Sequence, residues 1–337
     1  RVLRDHRQVS QGEAVAVAQG GGSVDAQASR AMKIGIIGQG SIGRRHARNF
    51  KHLGAEVLVY DPAPPADVIE PIASKEAVLA CDGVVIATPP ATHADLLRET
   101  IRSGAHALVE KPLAWSEASG IESVLSEAES LSRHVLVGYC WRYWPPLIDM
   151  RRMLHDGHIG TLRLARAEYG DHLTIRVPDY RASFLGGPEG GNLAEHSHAL
   201  DYVRWICGPI ASVKALIPPA SLAIPRDDTA DLLVTFQSGA VGSILTTMLA
   251  WKIESRLILY GDEGMLYWDR TREGLRSFRA ATRTWTEHPS PTDINQMYMN
   301  EAAHFMACIR GEEPPRVTGR DALETVRLMD QARRSAA

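Results

Sequence analysis

From Met32 onward, short apolar runs alternate with amphipathic stretches. Ile34-Gly35-Ile36-Ile37, Glu56–Tyr60, Val84–Ala87, His106–Glu110 and Val135–Gly138 are continuous enough in apolar character to predict buried strands. Between them, Ser41–Leu53, Ser74–Leu79, Ala94–Ser103 and Glu117–Ser132 carry helical spacing, with Ile42, Ala47, Phe50 and Leu53 as the apolar positions of the first. Strands that alternate with helices predict a parallel, doubly wound α/β sheet. Beyond Gly138 the period changes. Pro145–His155 reads as helix, and then Leu162–Tyr169, Ala211–Ile217, Thr229–Phe236, Val241–Ala250, Ser255–Tyr260 and Met265–Asp269 alternate as strands with hairpin-like turns between several of them. Within this region the latter half of Glu189–Ile206 is helical, and Ile294–Arg310 and Arg320–Arg334 close the chain as helices. The organisation expected is an extension at 1–31, a first domain at 32–138, and a second, mostly antiparallel α+β domain at 139–337.

The first strand runs directly into Gly38, Gly40 and Gly43, the G-x-G-x-x-G spacing. In a dinucleotide site the first glycine makes the tight turn, the second admits a pyrophosphate, and the third lets the helix sit on the strand. The free N–H groups of Ser41, Ile42 and Gly43 would meet phosphate. Asp61 ends the second strand, some 18 residues beyond Gly43, where a carboxylate accepts hydrogen bonds from the ribose diol and repels a 2′-phosphate. NAD is therefore expected ahead of NADP. Ligands bind at the carboxyl ends of such strands, so the loops 38–43, 87–93 and 110–114 should converge. Thr88, Pro89, His93, Glu110 and Lys111 join the glycines and Asp61 as candidate cofactor contacts. His93 is read as a helix cap or cofactor neighbour without proton chemistry.

Composition narrows the classes. With 45% hydrophobic and 23% charged residues and a formal charge of −3, the chain has no basic field for nucleic acid or an anionic membrane. No apolar run approaches the roughly 18 residues needed to span a bilayer. Cys81, Cys140, Cys207 and Cys308 are dispersed, which fits reduced thiols in the cytoplasm. Residues 1–31, rich in Gln, Gly, Ser and Ala, read as a disordered or non-native extension.

Gly38-Gln39-Gly40-Ser41-Ile42-Gly43-Arg44-Arg45-His46, Ala87–His93, Glu110-Lys111-Pro112-Leu113, the run Gly190–Tyr202 and Pro315–Leu323 together resemble the glucose–fructose oxidoreductase, inositol dehydrogenase and rhizopine catabolism (Gfo/Idh/MocA) family. The resemblance covers nearly all of the chain from Met32. It implies a Rossmann domain followed by an open-faced, mostly antiparallel sheet with helices on one face, and oxidation of a secondary alcohol on a sugar, amino-sugar or cyclitol; an apolar sheet face of that kind left in water is unusual, so a homodimer or homotetramer through it is expected. It carries over Lys111 as the lysine beside the nicotinamide and His198 as the proton acceptor, with Glu195 where an Asp is usual. Glu195, the additional His196 and Pro188-Glu189-Gly190-Gly191 depart from the family pattern.

The chemistry fits those residue types. Hydride leaves a carbinol carbon as its hydroxyl proton is removed, which needs a base and a cation to steady the alkoxide. Histidine suits the first task and lysine the second. Glu195 and His198, three apart on one helix, would share a face and let the carboxylate fix the imidazole tautomer. Arg142, Tyr180 and Arg181 are candidate substrate contacts, although Trp141-Arg142-Tyr143-Trp144 reads equally well as an aromatic packing cluster. His196-x-His198 lacks further ligands at suitable spacing, so no metal is expected. Met248, Trp251 and Trp268 near the second sheet point to self-association. Two other activities fit the scaffold: a nucleotide-sensing regulator without turnover, and a hydrolase that oxidises its sugar transiently with NAD.

Overall fold

The computed structural model describes residues 30–64, 71–188, 190–272, 274–289, 291 and 293–336. The expectation for residues 1–31 falls, up to residue 29, outside the described residues, as does Glu189. Five strands, β1 (Lys33–Ile37), β2 (Glu56–Tyr60), β3 (Gly83–Ile86), β4 (His106–Val109) and β5 (Val135–Val137), form a wholly parallel sheet in the order β2-β1-β3-β4-β5. Helices α1 (Ser41–His52), α2 (Lys75–Leu79), α3 (His93–Arg102) and α4 (Ile121–Ser130) connect them. Strand order reverses beside β1, which opens a crevice at the carboxyl ends of β1 and β3. In α1, Gly43, His46, Ala47 and Phe50 are buried, the three-to-four spacing of a helix lying on a sheet. The helix expected over Glu117–Ser132 begins instead as a 3-10 turn, Glu117–Ser119, and Gly120 at φ 74° separates it from α4.

After α5 (Pro145–His155) come β6 (Leu162–His172), α6 (Leu173–Arg176), α7 (Asn192–Glu195), α8 (Ser197–Cys207), β7 (Ile210–Leu216), β8 (Thr229–Phe236), β9 (Val241–Thr247), β10 (Leu249–Gly261), β11 (Gly264–Asp269), β12 (Leu275–Arg279) and β13 (Thr284–His288). The eight strands pair in the order β13-β12-β11-β10-β6-β9-β8-β7, antiparallel except for β6 with β9. Sequence pattern missed β12 and β13 and placed a strand end at Ala250, where the chain has already turned into β10. The predicted helix before Cys207 is two helices, broken at His196 (φ −99°, ψ 20°).

The second sheet has one covered face and one bare face. Along β8, Ala230, Leu232, Val234 and Phe236 are buried, while Leu233 on the other face is 63% exposed. Leu164 and Val241 are also exposed. Met248 and Trp268 are buried, which corrects the expectation that they lie at the open face, whereas Trp251 is exposed. Trp268 instead packs edge-on against Trp141 and Tyr202 beneath α8. The last helices tie the two sheets together. Helix α9 (Asn295–Ile309) lays Ala302, Phe305 and Met306 on a cluster with Ile34, Phe50 and Val85, and α10 (Gly319–Ala336) packs against β7 and, just before its start, bridges Thr318 to Leu136 of β5.

Candidate active site

The carboxyl ends of β1 and β3 build a cradle from backbone. Gly38 adopts φ 104°, and a Cβ there would lie 2.4 Å from the Ala87 carbonyl oxygen; a Cβ on Gly43 would lie 2.0 Å from the Gly38 oxygen. These two glycines are needed for helix α1 to close on the loop. Gly40 differs: a Cβ on it would meet nothing within 4 Å, so it faces open space at the start of α1. That helix end has no side-chain cap and no acidic residue in its first turn. Its amide groups thus suit an anionic pyrophosphate. Asp61 accepts hydrogen bonds from the Gln39 amide (2.6 Å) and the Ala63 amide (2.8 Å), so the carboxylate at the end of β2 also braces the glycine loop.

His93 and Glu110 fasten the neighbouring loops. One ring nitrogen of buried His93 lies 2.9 Å from the Thr88 carbonyl oxygen, and the other lies 3.1 Å and 3.2 Å from the Pro112 and Leu113 oxygens. The loops 87–93 and 110–114 are therefore joined through this ring, and the Lys111–Pro112 peptide within the second of them is cis. Glu110 contacts His46 Nε2 of α1 at 2.7 Å and accepts from the Lys111 amide at 3.1 Å. A Cβ on Gly138 would lie 3.1 Å from that carboxyl, so the glycine after β5 leaves room for it. His46 was not singled out from sequence, although it occupies the buried stripe of α1.

Lys111 reaches from β4 to the break between α7 and α8. Its Nζ donates to the Glu195 carbonyl oxygen at 2.8 Å and to Glu195 Oε2 at 3.2 Å. The other oxygen, Oε1, pairs with Arg176 Nη1 at 2.8 Å, and Arg176 Nε pairs with Asp171 Oδ2 at 2.7 Å. Burial alone would push the Glu195 carboxyl up, but Lys111, Arg176 and His196 hold it well below the usual carboxylate range. Burial and the nearby Lys111 push His198 well below its ordinary range, so the ring is neutral and able to accept a proton. Its Nδ1 is buried without a hydrogen-bond partner, and Tyr139 stands edge-on to it at 5.7 Å. The start of α7 is held by Asp227, whose carboxylate accepts from the Leu193 amide at 2.7 Å.

Residues 32–139 match the model of an oxidoreductase family with an NAD-binding Rossmann fold, and residues 147–267 match the GFO/IDH/MocA C-terminal domain. The chain belongs to the Gfo/Idh/MocA oxidoreductase family. Inositol 2-dehydrogenase of Rhizobium meliloti is 26% identical over 91% of this chain and 97% of its own length. D-apiose dehydrogenase of Paraburkholderia graminis is 26% identical over 89% and 86%. The crystal structure of an oxidoreductase domain protein from Kribbella flavida shares the fold with a TM-score of 0.79 at 21% identity, covering 91% of this chain and 97% of that one.

Within this Gfo/Idh/MocA chain, Lys111, Glu195 and His198 assemble at one place. Three expectations change. Glu195 makes no hydrogen bond to His198, because the helix breaks between them and its carboxylate turns to Lys111 and Arg176. Arg142 is only 2% exposed and spends its guanidinium on Asp201 (2.8 and 2.5 Å) and Asp321 (2.5 Å), so it stands inside the protein rather than in the cleft. Tyr180 is buried with Leu173, Leu185 and Met248, and exposed Arg181 lies over its ring at 4.9 Å. Asp171 and Arg176 were missed, since nothing in their local sequence marks them. Among the described residues no group of three or more His, Cys, Asp or Glu assembles at metal-binding distances, and no helix is long and apolar enough to cross a membrane.

Proposed function

We propose that the protein is an NAD-dependent dehydrogenase that oxidises a secondary alcohol of a sugar, amino-sugar or cyclitol, with Lys111 and His198 handling charge and proton. The observation that carries this reading is the meeting of Lys111 with the α7–α8 break, on a loop that Glu110 ties to His46 of α1 and His93 ties to Thr88. NAD, when bound, supplies the hydride acceptor. The amides of Ser41, Ile42 and Gly43 and the Asp61 carboxylate would hold it, with Thr88, Pro89, His93 and Glu110 shaping the adjoining loops.

Neutral His198 takes the hydroxyl proton as the carbon gives up its hydride, and the Lys111 ammonium steadies the developing alkoxide. Glu195 orients Lys111 through both its backbone and side-chain oxygens and offsets its charge. Arg176 is already matched by Asp171 and Glu195, which favours an uncharged polyol over an anionic sugar. The curated relatives named for inositol and D-apiose support a substrate of that class. The bare sheet face carrying Leu164, Leu233 and Val241 supports a homodimer or homotetramer assembled through it.

The test is a panel of sugars and cyclitols with NAD or NADP, following reduced-nicotinamide absorbance. Turnover with NAD is expected, falling at least about a hundredfold in Lys111→Ala and His198→Ala, the ordinary weight of a positioned acid or base. Turnover that survives both substitutions overturns the residue roles. NAD binding without turnover on any polyol indicates a sensor instead.

A further inference from the structure

Trp115 follows Lys111 by four residues, and two arginines from distant parts of the chain stand over its ring. The guanidinium carbon of Arg333, in α10, lies 3.9 Å from the ring centroid, and that of Arg226, shortly before β8, lies 5.4 Å from it. Both are within the range at which the electron-rich face of an indole attracts a cation. The two cations oppose each other, and the indole face offsets that cost together with Asp227 and Asp330.

From this ring, contacts run in two directions. On the α10 side, Arg333 Nη1 donates to the Trp115 carbonyl oxygen at 2.9 Å and to Asp330 Oδ1 at 3.0 Å, while Asp330 Oδ2 accepts from the Glu117 amide at 2.9 Å. The chain on both sides of Ser116 is thereby fastened to α10. On the other side, Arg226 Nε donates to the Pro188 carbonyl oxygen at 2.7 Å. Its neighbour Asp227 accepts from the Asn192 amide through its backbone oxygen and from the Leu193 amide through its carboxylate, both at 2.7 Å. Gly191, at φ 132°, permits this approach, since a Cβ there would lie 2.9 Å from Arg226 Cβ and 2.8 Å from Asp227 Oδ1. Asn192 and Leu193 open α7, and α7 ends on Glu195, which accepts from Lys111 Nζ through its carbonyl and its carboxylate. The path from Lys111 to Trp115, Arg226, α7 and back to Lys111 is closed.

We infer that Trp115 and Arg226 are positioning residues: their stack fixes the loop that carries Lys111 against the entry to α7 and so sets the separation at which the ammonium meets Glu195. They act through Lys111 rather than on substrate. The glycine loop and Asp61 belong to other elements, so the cofactor's grip is independent of the stack. The inference rests on the dehydrogenase reading only for its effect on turnover.

Hydrogen exchange of the full chain, followed by mass spectrometry, needs no substrate. In Trp115→Ala and Arg226→Gln the peptide covering residues 190–196 should exchange about threefold faster than in wild type, the weight of an exposed cation–π contact, while the peptide covering α1 keeps its rate. Trp115→Phe retains an aromatic face and should stay within about twofold of wild type. Arg226 is exposed, so its substitution spares the core and decides the matter even where Trp115→Ala folds poorly. Wild-type exchange in Arg226→Gln overturns the inference. In turnover of myo-inositol or D-apiose with NAD, Trp115→Ala should lower kcat about fivefold and Arg226→Gln about threefold, with smaller changes in KM and wild-type NAD affinity. The double variant should lose no more than Trp115→Ala alone, because Arg226 acts through the ring. Trp115→Phe should recover most of the rate. Additive losses refute the coupling, and a raised KM at wild-type kcat makes Trp115 a substrate contact instead. If neither polyol is turned over, the exchange arm still decides the stack while the dehydrogenase reading fails on its own.

Discussion

Replacing Arg142 by Met tests whether this arginine belongs to the cleft or to the interior. Its guanidinium makes a two-pronged contact with Asp201, through Nε at 2.8 Å and Nη2 at 2.5 Å, and reaches Asp321 at 2.5 Å with Nη1. Asp201 is 1% exposed, and its next cation, Arg204, stands 3.8 Å away. Arg142→Met keeps the bulk of the side chain but strands the Asp201 carboxylate, a change that costs about 3–5 kcal/mol for a buried pair. At about 2–4 °C per kcal/mol, the scale for chains of 150–250 residues, the midpoint of thermal unfolding should fall by on the order of 10 °C. Asp321 suffers less, since its side chain is 34% exposed and Arg204 remains on it at 2.8 Å. Calorimetry of Arg142→Met, Asp201→Leu and the double variant measures the pair directly. The double variant should recover most of the loss, because two apolar groups replace the pair and no charge is stranded. A wild-type midpoint with a raised KM in Arg142→Met refutes this reasoning and returns Arg142 to the substrate.

Gly43 and Gly40 of the first loop should respond differently to alanine. Gly43→Ala forces a methyl to 2.0 Å from the Gly38 oxygen and should lower the thermal midpoint or abolish soluble expression, whereas Gly40→Ala meets open space, should keep the wild-type midpoint, and should weaken NAD at least about tenfold by titration calorimetry. Unchanged NAD affinity in Gly40→Ala removes it from the pyrophosphate path. For His106, burial first, then His134 and Arg133, push the ring down from 6.5 to about 4. Its folded-state affinity for a proton is thus lower than that of the unfolded chain. Its contribution to stability is complete above pH 6.5 and declines as pH falls toward 4, so His106→Asn should flatten that part of the midpoint–pH curve, and an unchanged slope contradicts it.

What sequence makes legible here is whatever is decided within a few residues. Ile34, Ile36, Val84 and Ile86 are buried on both faces of a parallel sheet, so their runs are continuous and readable. Gly38, Gly43 and Asp61 act through backbone geometry within one strand–helix–strand unit, and their spacing reports it. The pair β12 and β13 offered no such pattern, because every residue of β13 from Thr284 to Glu287 is exposed and no apolar alternation survives at a sheet edge. Arg142 misled for a related reason. Its partners stand 59 residues away in α8 and on α10, so a charged residue among aromatics carried no local sign of burial.

Arg176 and Asp171 are the more consequential omission. They belong to the turn from β6 into α6, far in sequence from Lys111, yet one guanidinium there fixes the carboxylate that holds the lysine. A motif reports the end of such a relay and not its length. The break at His196 has the same origin: Asn192 Oδ1 accepts a hydrogen bond from the ring's Nδ1 and Asp171 stands 3.6 Å from Nε2, so a residue that reads as one more helical position is turned toward β6. Arg176→Met should therefore lower turnover without altering NAD affinity, and unchanged turnover in that variant refutes the relay.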